Sequence, residues 1–447
     1  STGSVTQSQA IVTPSLELLG TGGTYTLTNT GNAITTLAGN TGTVSFLENS
    51  GFAIGTVNTV GMTATTSLTL SSTGAVTQSQ AIVTPSLELL GTGGNYTVTN
   101  TGNAITTLAG STGTVSFLEN SGFDIGTVNT VGLTTSGNLT LSSTAAVTQS
   151  QKLIADGLKL LGTAGNYTLL NTSNAINTLA ANTGVISFLE NSGFTVGTVL
   201  AVDGITTTGN LALSSTGGMT FVKNVSTGGT QIYTGPITLS SQAISMSATN
   251  QDITFSGATT TINGYQDLTI NAGLGTVNFN GVVGASTNPG TLTITGSTIN
   301  INVNMTAASQ IYNGSVVIGA DVSLIAMGVA TPVTYTYADT GASTSLSIGG
   351  YLDTMPVSFS LTGAAGGMGG ADAWGNGSPG NSTSSAIYNA TFSLAAGNLI
   401  TLAPGAGGGN ANYSSSPGAG GASALGNAGS TGNSSSHIYA GDGGGGG

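Results

Sequence analysis

Along the first half of the chain, apolar residues alternate with polar ones in short runs: Leu16 and Leu18, Tyr25 and Leu27, Val44 and Phe46, Leu68 and Leu70. The runs are rich in Val, Ile, Leu, Thr and aromatic residues, and they stop at Gly, Asn and Ser. Period-two alternation bounded in this way predicts half-buried strands joined by turns. The pattern then recurs as a whole. A unit that runs VTQSQAIVTPSLELLG, YTLTNTGNAITTLAG, TGTVSFLENSGF, IGTVNTVG and LTLSST in its first copy recurs, with substitutions, in a second and a third. Val5, Val76 and Val147 step by 71 residues, as do Tyr25, Tyr96 and Tyr167, and Phe46, Phe117 and Phe188. A fixed period over three copies marks a repeat architecture.

A sandwich or barrel has no need to hold such a period. A β-solenoid does, because each turn of short parallel strands stacks on the turn below and must share its shape. Three turns in 71 residues give about 24 residues each and four give about 18, with the spacing of the L-x-L and V-x-F pairs favouring three. On that count Phe46, Phe117 and Phe188 point inward a whole number of turns apart. The one stretch with helical spacing is KLIADGLKLL, residues 152–161, where the earlier copies carry Pro14 and Pro85. Those prolines predict an extended or turn conformation in all three. Asn-Gly, Thr-Gly and Ser-Gly pairs supply corners, since Gly takes a positive φ without a Cβ clash.

The fold expected is all-β: a parallel β-helix (β-solenoid) followed by a glycine-rich, polyglycine-II-like module. Residues 1–218 hold the three copies. Residues 219–330 continue the solenoid in a second repeat type, in which TQIYTGPITLS and SQIYNGSVVIG share Gln-Ile-Tyr-x-Gly. Residues 331–355 read as a cap or linker. Residues 356–447 read as a separate module, and 25 of the 97 residues from Tyr351 onward are Gly.

Gly-x-Val-Thr-Gln-Ser, the N-A-I-x-x-L-A run and Gln-x-Tyr-x-Gly before an alternating strand resemble the passenger regions of filamentous-haemagglutinin-type bacterial exoproteins. The resemblance covers residues 1 to about 330. It implies a right-handed parallel β-helix, secretion to a bacterial cell surface and a part in adhesion. The glycine-rich end resembles the domains of some phage tail-fibre adhesins and, more remotely, of anaplastic-lymphoma-type receptor kinases. It implies packed left-handed Gly helices, which approach closely because Gly has no side chain.

Composition narrows the chemistry. Only 18 of 447 residues are charged. The cations are Lys152, Lys159 and Lys223, with no arginine and the single His437. Nucleic-acid binding needs many phosphate-neutralising cations and is excluded as a function class. Cysteine is absent, and no apolar run approaches the length of a membrane-spanning helix. STGSVTQSQ has no basic or apolar leader character and already lies in the repeat register, so the chain reads as a mature or trimmed piece of something longer.

Catalysis finds little support. A polysaccharide-active β-helix needs clustered carboxylates with basic partners. Glu17, Glu88, Glu48, Glu119 and Glu190 recur because the repeats recur, and they read as solvated turn positions. Asp252 and Asp267 are near enough in number to stack on neighbouring turns. No cofactor is expected. The calcium-binding nonapeptide is not repeated, and Gly369-Gly370-Ala371-Asp372 and Gly441-Asp442-Gly443 are too short to count as sites, which leaves at most adventitious calcium on backbone carbonyls. His437 lacks the companions zinc requires. The candidate contact residues are Trp374, Tyr388, Tyr413, His437 and Tyr439, with Trp374 either a sugar platform or a cap on the glycine bundle.

Two functions compete. One is a secreted, non-enzymatic subunit that self-associates into a surface fibre, filament or coat. The other is a monomeric adhesin stalk binding a host or glycan ligand through its glycine-rich end. A polysaccharide-active enzyme is the remote third.

Overall fold

The computed structural model describes residues 1–319 and 321–327 in full. Beyond them it describes the backbone of the strands Thr344–Gly349, Met355–Thr362, Ile387–Leu394, Leu399–Ala403 and Ile438–Tyr439. The chain separates into two compact units, Ser1–Gly281 and Val282–Gly447.

The first unit is a parallel β-solenoid without helix among the described residues. Inward residues form continuous columns. Val5, Tyr25, Val44, Leu68, Leu87, Leu108 and Ile125 stack in order, each directly over the last. Such columns bury nearly every inward apolar side chain, and this burial is the main favourable term in the fold. Of residues 152–161 all but Lys152 are extended, within the strand Leu153–Leu169, one of the two conformations expected from Pro14 and Pro85.

The turn count differs from the sequence reading. Tyr25 to Leu87 is three stacking steps in 62 residues (87 − 25), and the fourth step reaches Leu108 after 83 (108 − 25). The 71-residue period therefore falls between three turns and four. Phe46, Phe117 and Phe188 are all buried, but they are not a whole number of turns apart. Phe46 stacks between Leu27 and Leu70, and Phe117 between Val98 and Leu141. Phe188 stacks between Leu169 and Leu213. They occupy three different columns.

What repeats is the local environment. Each of these rings meets a second Phe edge to face: Phe46–Phe52 at 5.2 Å and 87°, Phe117–Phe123 at 4.9 Å and 81°, Phe188–Phe194 at 5.2 Å and 89°. This is the geometry the ring quadrupole favours.

Corners within the long strands are made by glycine of necessity. A Cβ on Gly91 (φ 117°) would lie 2.0 Å from the Ser72 carbonyl oxygen, and one on Gly162 (φ 107°) 1.9 Å from that of Ser143. The following tyrosine closes the corner. Tyr96 Oη lies 2.9 Å from Leu70 O and 2.5 Å from Leu90 O, and Tyr167 repeats the arrangement with Leu141 and Leu161. Burial pushes the pKa of both hydroxyls up.

The Gln-x-Tyr motif proves to be a buried hydrogen-bonded pair. Tyr233 Oη donates to Gln231 Oε1 at 2.7 Å, while Gln231 Nε2 donates to Ser247 O at 2.7 Å. Tyr233 continues into an aromatic stack with Phe255 and Phe279 at 5.4 and 5.1 Å. The second unit repeats the pair: Tyr312 donates to Gln310, whose Nε2 reaches Ile325 O at 2.7 Å.

In the second unit Thr291–Ile301 pairs in parallel with Ser309–Ile318, and Met305–Ala307 with Ser323–Ala326. Antiparallel pairing then enters: Thr344–Gly349 with Leu399–Ala403, and Met355–Thr362 with Ile387–Leu394. The glycine helices expected within residues 356–447 lie outside the described residues.

Candidate functional site: loops latched by carboxylates

Of the contact residues expected from sequence, Trp374, Tyr413 and His437 lie outside the described residues. Tyr388 is in the strand Ile387–Leu394, opposite Leu361, and Tyr439 is in Ile438–Tyr439, opposite Ala403. Their side chains also lie outside the described residues.

Four of the five repeated acids are not the solvated positions that the sequence suggested, while Glu17 is half-exposed. Glu48, Glu88, Glu119 and Glu190 are each at most 1% exposed. Glu48, Glu119 and Glu190 fold back over their own Glu-Asn-Ser turn. There Oε1 accepts from the backbone N–H and hydroxyl of Ser50, Ser121 and Ser192. In the middle copy Oε2 also accepts from Ile105 N–H at 2.6 Å. Oε2 of Glu48 and of Glu190 is buried without a partner.

Beside them lies an amide pair that the sequence reading missed. Gln7 with Asn32, Gln78 with Asn103 and Gln149 with Asn174 exchange hydrogen bonds across successive turns. Each Asn Nδ2 also donates to a wall carbonyl, that of Leu47, Leu118 or Leu189, at 3.0 Å. The three Asn are buried and satisfied, as interior polar groups must be, and the three Gln are half-buried. Their recurrence at 71 residues was the available signal.

Glu17 and Glu88 do something different. Residues 55–61 and 126–132 leave the wall as loops, each pinched at its base by one Gly–Gly bond, Gly61 N–H to Gly55 O and Gly132 N–H to Gly126 O, both 2.9 Å. The first loop arches over Ala38 and the second over Ala109, both fully buried, to the carboxylate one turn below. Glu88 Oε1 accepts from Asn129 N–H at 3.2 Å and Thr130 N–H at 2.6 Å. Its Oε2 accepts from Asn129 Nδ2 at 2.8 Å and Thr69 Oγ1 at 2.9 Å. Glu17 receives the equivalent bonds from Asn58 and Thr59.

Hydrogen bonds from the Asn58 side chain and Thr59 hold the Glu17 pKa down at about 2. Burial pushes Glu88 up, but the bonds from Asn129, Thr130 and Thr69 together outweigh it and leave its pKa lowered. Each latch thus ties a loop to a turn its own strand does not pair with.

The third copy rebuilds the latch. Lys159 stands where Glu17 and Glu88 stand, and one residue is inserted in the loop. That loop is an antiparallel hairpin, Thr198 opposite Asp203 and Val199 opposite Val202, over buried Ala180. Asp203 accepts from the Thr198 hydroxyl and pairs with Lys223 at 3.6 Å. The Thr198 bond first, and Lys223 with it, lower the Asp203 pKa.

Asp252 and Asp267 are not stacked on neighbouring turns. Ile253 lies between Gln231 and Val277, whereas Leu268 lies over Ile244, in another column. Among the described residues no group of three or more His, Cys, Asp or Glu is placed to hold a metal ion, and no helix is long and apolar enough to cross a membrane. A shallow depression beside Phe194, Met219 and Pro236 is lined without any titratable side chain. Compared with protein-family models, with curated proteins and with solved structures, the chain matches none.

Proposed function

We propose that this chain is a non-enzymatic, extracellular structural protein, a β-solenoid subunit that associates with copies of itself into a surface fibre, filament or coat. The observation that supports this is a continuous in-register wall with almost no charge. The lone ion pair among the described residues is Lys223–Asp203. Outward positions carry Thr, Ser and Asn, which hydrogen-bond from one turn to the next, as Thr114 does to Asn95 and Asn278 to Thr254. Like-charge repulsion, which keeps soluble proteins apart, is weak on such a surface. The carboxylates of the latches and turns are engaged by the chain's own donors, which suits a scaffold better than an acid–base pair.

Electron microscopy of purified protein, with sedimentation over a concentration series, tests the proposal. Ordered polymers or sheets are expected. Isolated monomeric rods at every concentration would favour the adhesin-stalk reading instead.

A further inference from the structure

The Glu-Asn-Ser turns hold an arrangement that folding alone does not require. In each copy one carboxylate oxygen touches both the hydroxyl and the backbone nitrogen of the same serine. Glu48 Oε1 lies 2.6 Å from Ser50 Oγ and 3.0 Å from Ser50 N. Glu119 Oε1 lies 2.8 and 2.6 Å from the same atoms of Ser121, and Glu190 Oε1 2.5 and 2.8 Å from those of Ser192. A hydroxyl that donates to a carboxylate is a nucleophile beside its base. The nitrogen on the same oxygen is the leaving group of the peptide bond that precedes the serine.

That peptide bond is also met from its carbonyl side. The Asn49 carbonyl oxygen accepts from Thr73 Oγ1 at 2.9 Å, that of Asn120 from Thr144 at 3.3 Å and that of Asn191 from Thr216 at 3.1 Å. A donor placed there stabilises the oxyanion that forms when the carbonyl is attacked. Each glutamate is buried while its serine is exposed, so water reaches the bond. Oε2 of Glu48 and of Glu190 has no partner, and a buried polar atom left so asks for a reason. In the middle copy Ile105 N–H holds Oε2, and the hydroxyl contacts there are the longest of the three, 2.8 Å from Ser121 to Glu119 and 3.3 Å from Thr144 to Asn120.

We propose that the chain cleaves itself at the peptide bonds that join Asn49 to Ser50, Asn120 to Ser121 and Asn191 to Ser192. In the first copy Ser50 Oγ adds to the Asn49 carbonyl carbon through a small ring, and its proton passes to Glu48 Oε1. The C–N bond then breaks, the Ser50 nitrogen takes that proton from Oε1, and the Asn49 acyl group is left as an ester on Oγ. Water hydrolyses the ester. Its oxygen bonds to the carbonyl carbon, the C–Oγ bond breaks, and its protons go to Oγ and, from the new acid, to the Ser50 amine. The products are an Asn49 carboxylate and a Ser50 amino terminus. The chain on either side stays paired, Leu47 with Ser71 and Gly51 with Ala75, and Phe46 packs against Phe52 across the break. The nicked solenoid therefore keeps its shape. Each site reacts once and on its own chain, which leaves the structural role proposed above as it stands.

Mass spectrometry of the purified full chain, denatured after timed incubation, tests this. Fragments that begin at Ser50 and Ser192 are expected, with those that begin at Ser121 slower to appear. Circular dichroism of the undenatured protein should not change as they accumulate. Ser50→Ala should abolish the first cut and leave the other two, and Ser50→Cys, which keeps a nucleophile, should restore it. Glu48→Gln should slow the first cut about a hundredfold or more. Circular dichroism checks that each variant is folded. A wild-type chain that stays whole throughout would overturn the proposal, and so would a first cut that persists in folded Ser50→Ala.

Discussion

Glu88→Ala removes the acceptor of four donors at once: two backbone N–H groups of the loop, the Asn129 amide and the Thr69 hydroxyl. A hydrogen bond to a charged group is worth about 1.5–3 kcal/mol. The four cannot be summed, because they share one ordering cost and because water can reach the loop donors once the carboxylate is gone. A net cost of about 3 kcal/mol for opening residues 126–132 follows. That multiplies the open fraction roughly 150-fold. Native-state hydrogen exchange reads it directly: the amides of Asn129 and Thr130 should exchange about two orders of magnitude faster. The amides of the strand Ile82–Val98 that pair with Ala104–Leu118 should change little, since opening is local in a repeat fold. Glu88→Gln keeps one acceptor and loses the charge, so it should cost about 1 kcal/mol. Unchanged exchange at Asn129 and Thr130 in Glu88→Ala would show that the pinched Gly126–Gly132 base holds the loop unaided, and the latch argument would fail.

Acid should release the first latch late. The Glu17 pKa is depressed from 4.5 to about 2, so its contribution is full above pH 4.5 and fades as pH falls toward 2; a loop that opens on falling only to pH 5, followed by exchange at Asn58 and Thr59, would contradict this. Phe117→Ala empties a fully buried site facing Phe123 and should cost about 3–5 kcal/mol, seen as faster exchange in adjacent turns; a cost below about 1 kcal/mol would mean the column collapses to fill the space. Gln231→Leu leaves the Tyr233 hydroxyl without its acceptor and removes the Gln231 bond to the Ser247 carbonyl, which should cost about 1–3 kcal/mol, measured as lost denaturation midpoint, and an unshifted midpoint would count against the pair.

The solenoid was legible because two independent signals agreed: period-two alternation inside each strand and a period of 71 between copies. The turn count was not. Counting turns from sequence requires knowing which residues leave the wall, and residues 56–60 pair with no neighbouring turn. The acids were misread for a related reason. Glu beside Asn-Ser reads as a solvated turn until one sees Ser50, Ser121 and Ser192 turn their N–H and hydroxyl inward to meet it. The latch did leave a trace. Glu17 and Glu88 accompany Asn58-Thr59 and Asn129-Thr130, and when Glu becomes Lys159 the loop changes too. That coupled change within one chain announces contact across 41 or 42 residues. Trp374 and the glycine-rich residues around it were read from composition alone.

Because the period is three turns plus nine residues (71 − 62), one copy maps onto the next by a screw that advances and rotates. The stacking steps within the first two copies are the same: Val44 to Leu68 is 24 residues, as is Val115 to Leu139, and Leu68 to Leu87 is 19, as is Leu139 to Leu158. Excising or inserting one whole copy would thus leave every strand in this unit paired as before. It would, however, turn the remainder of the unit through a fixed fraction of a revolution. Copy number in such a unit is a setting of azimuth as well as of length: a duplication adds turns to the solenoid and re-aims its outward loops in a single event, with no change to any residue that builds the wall.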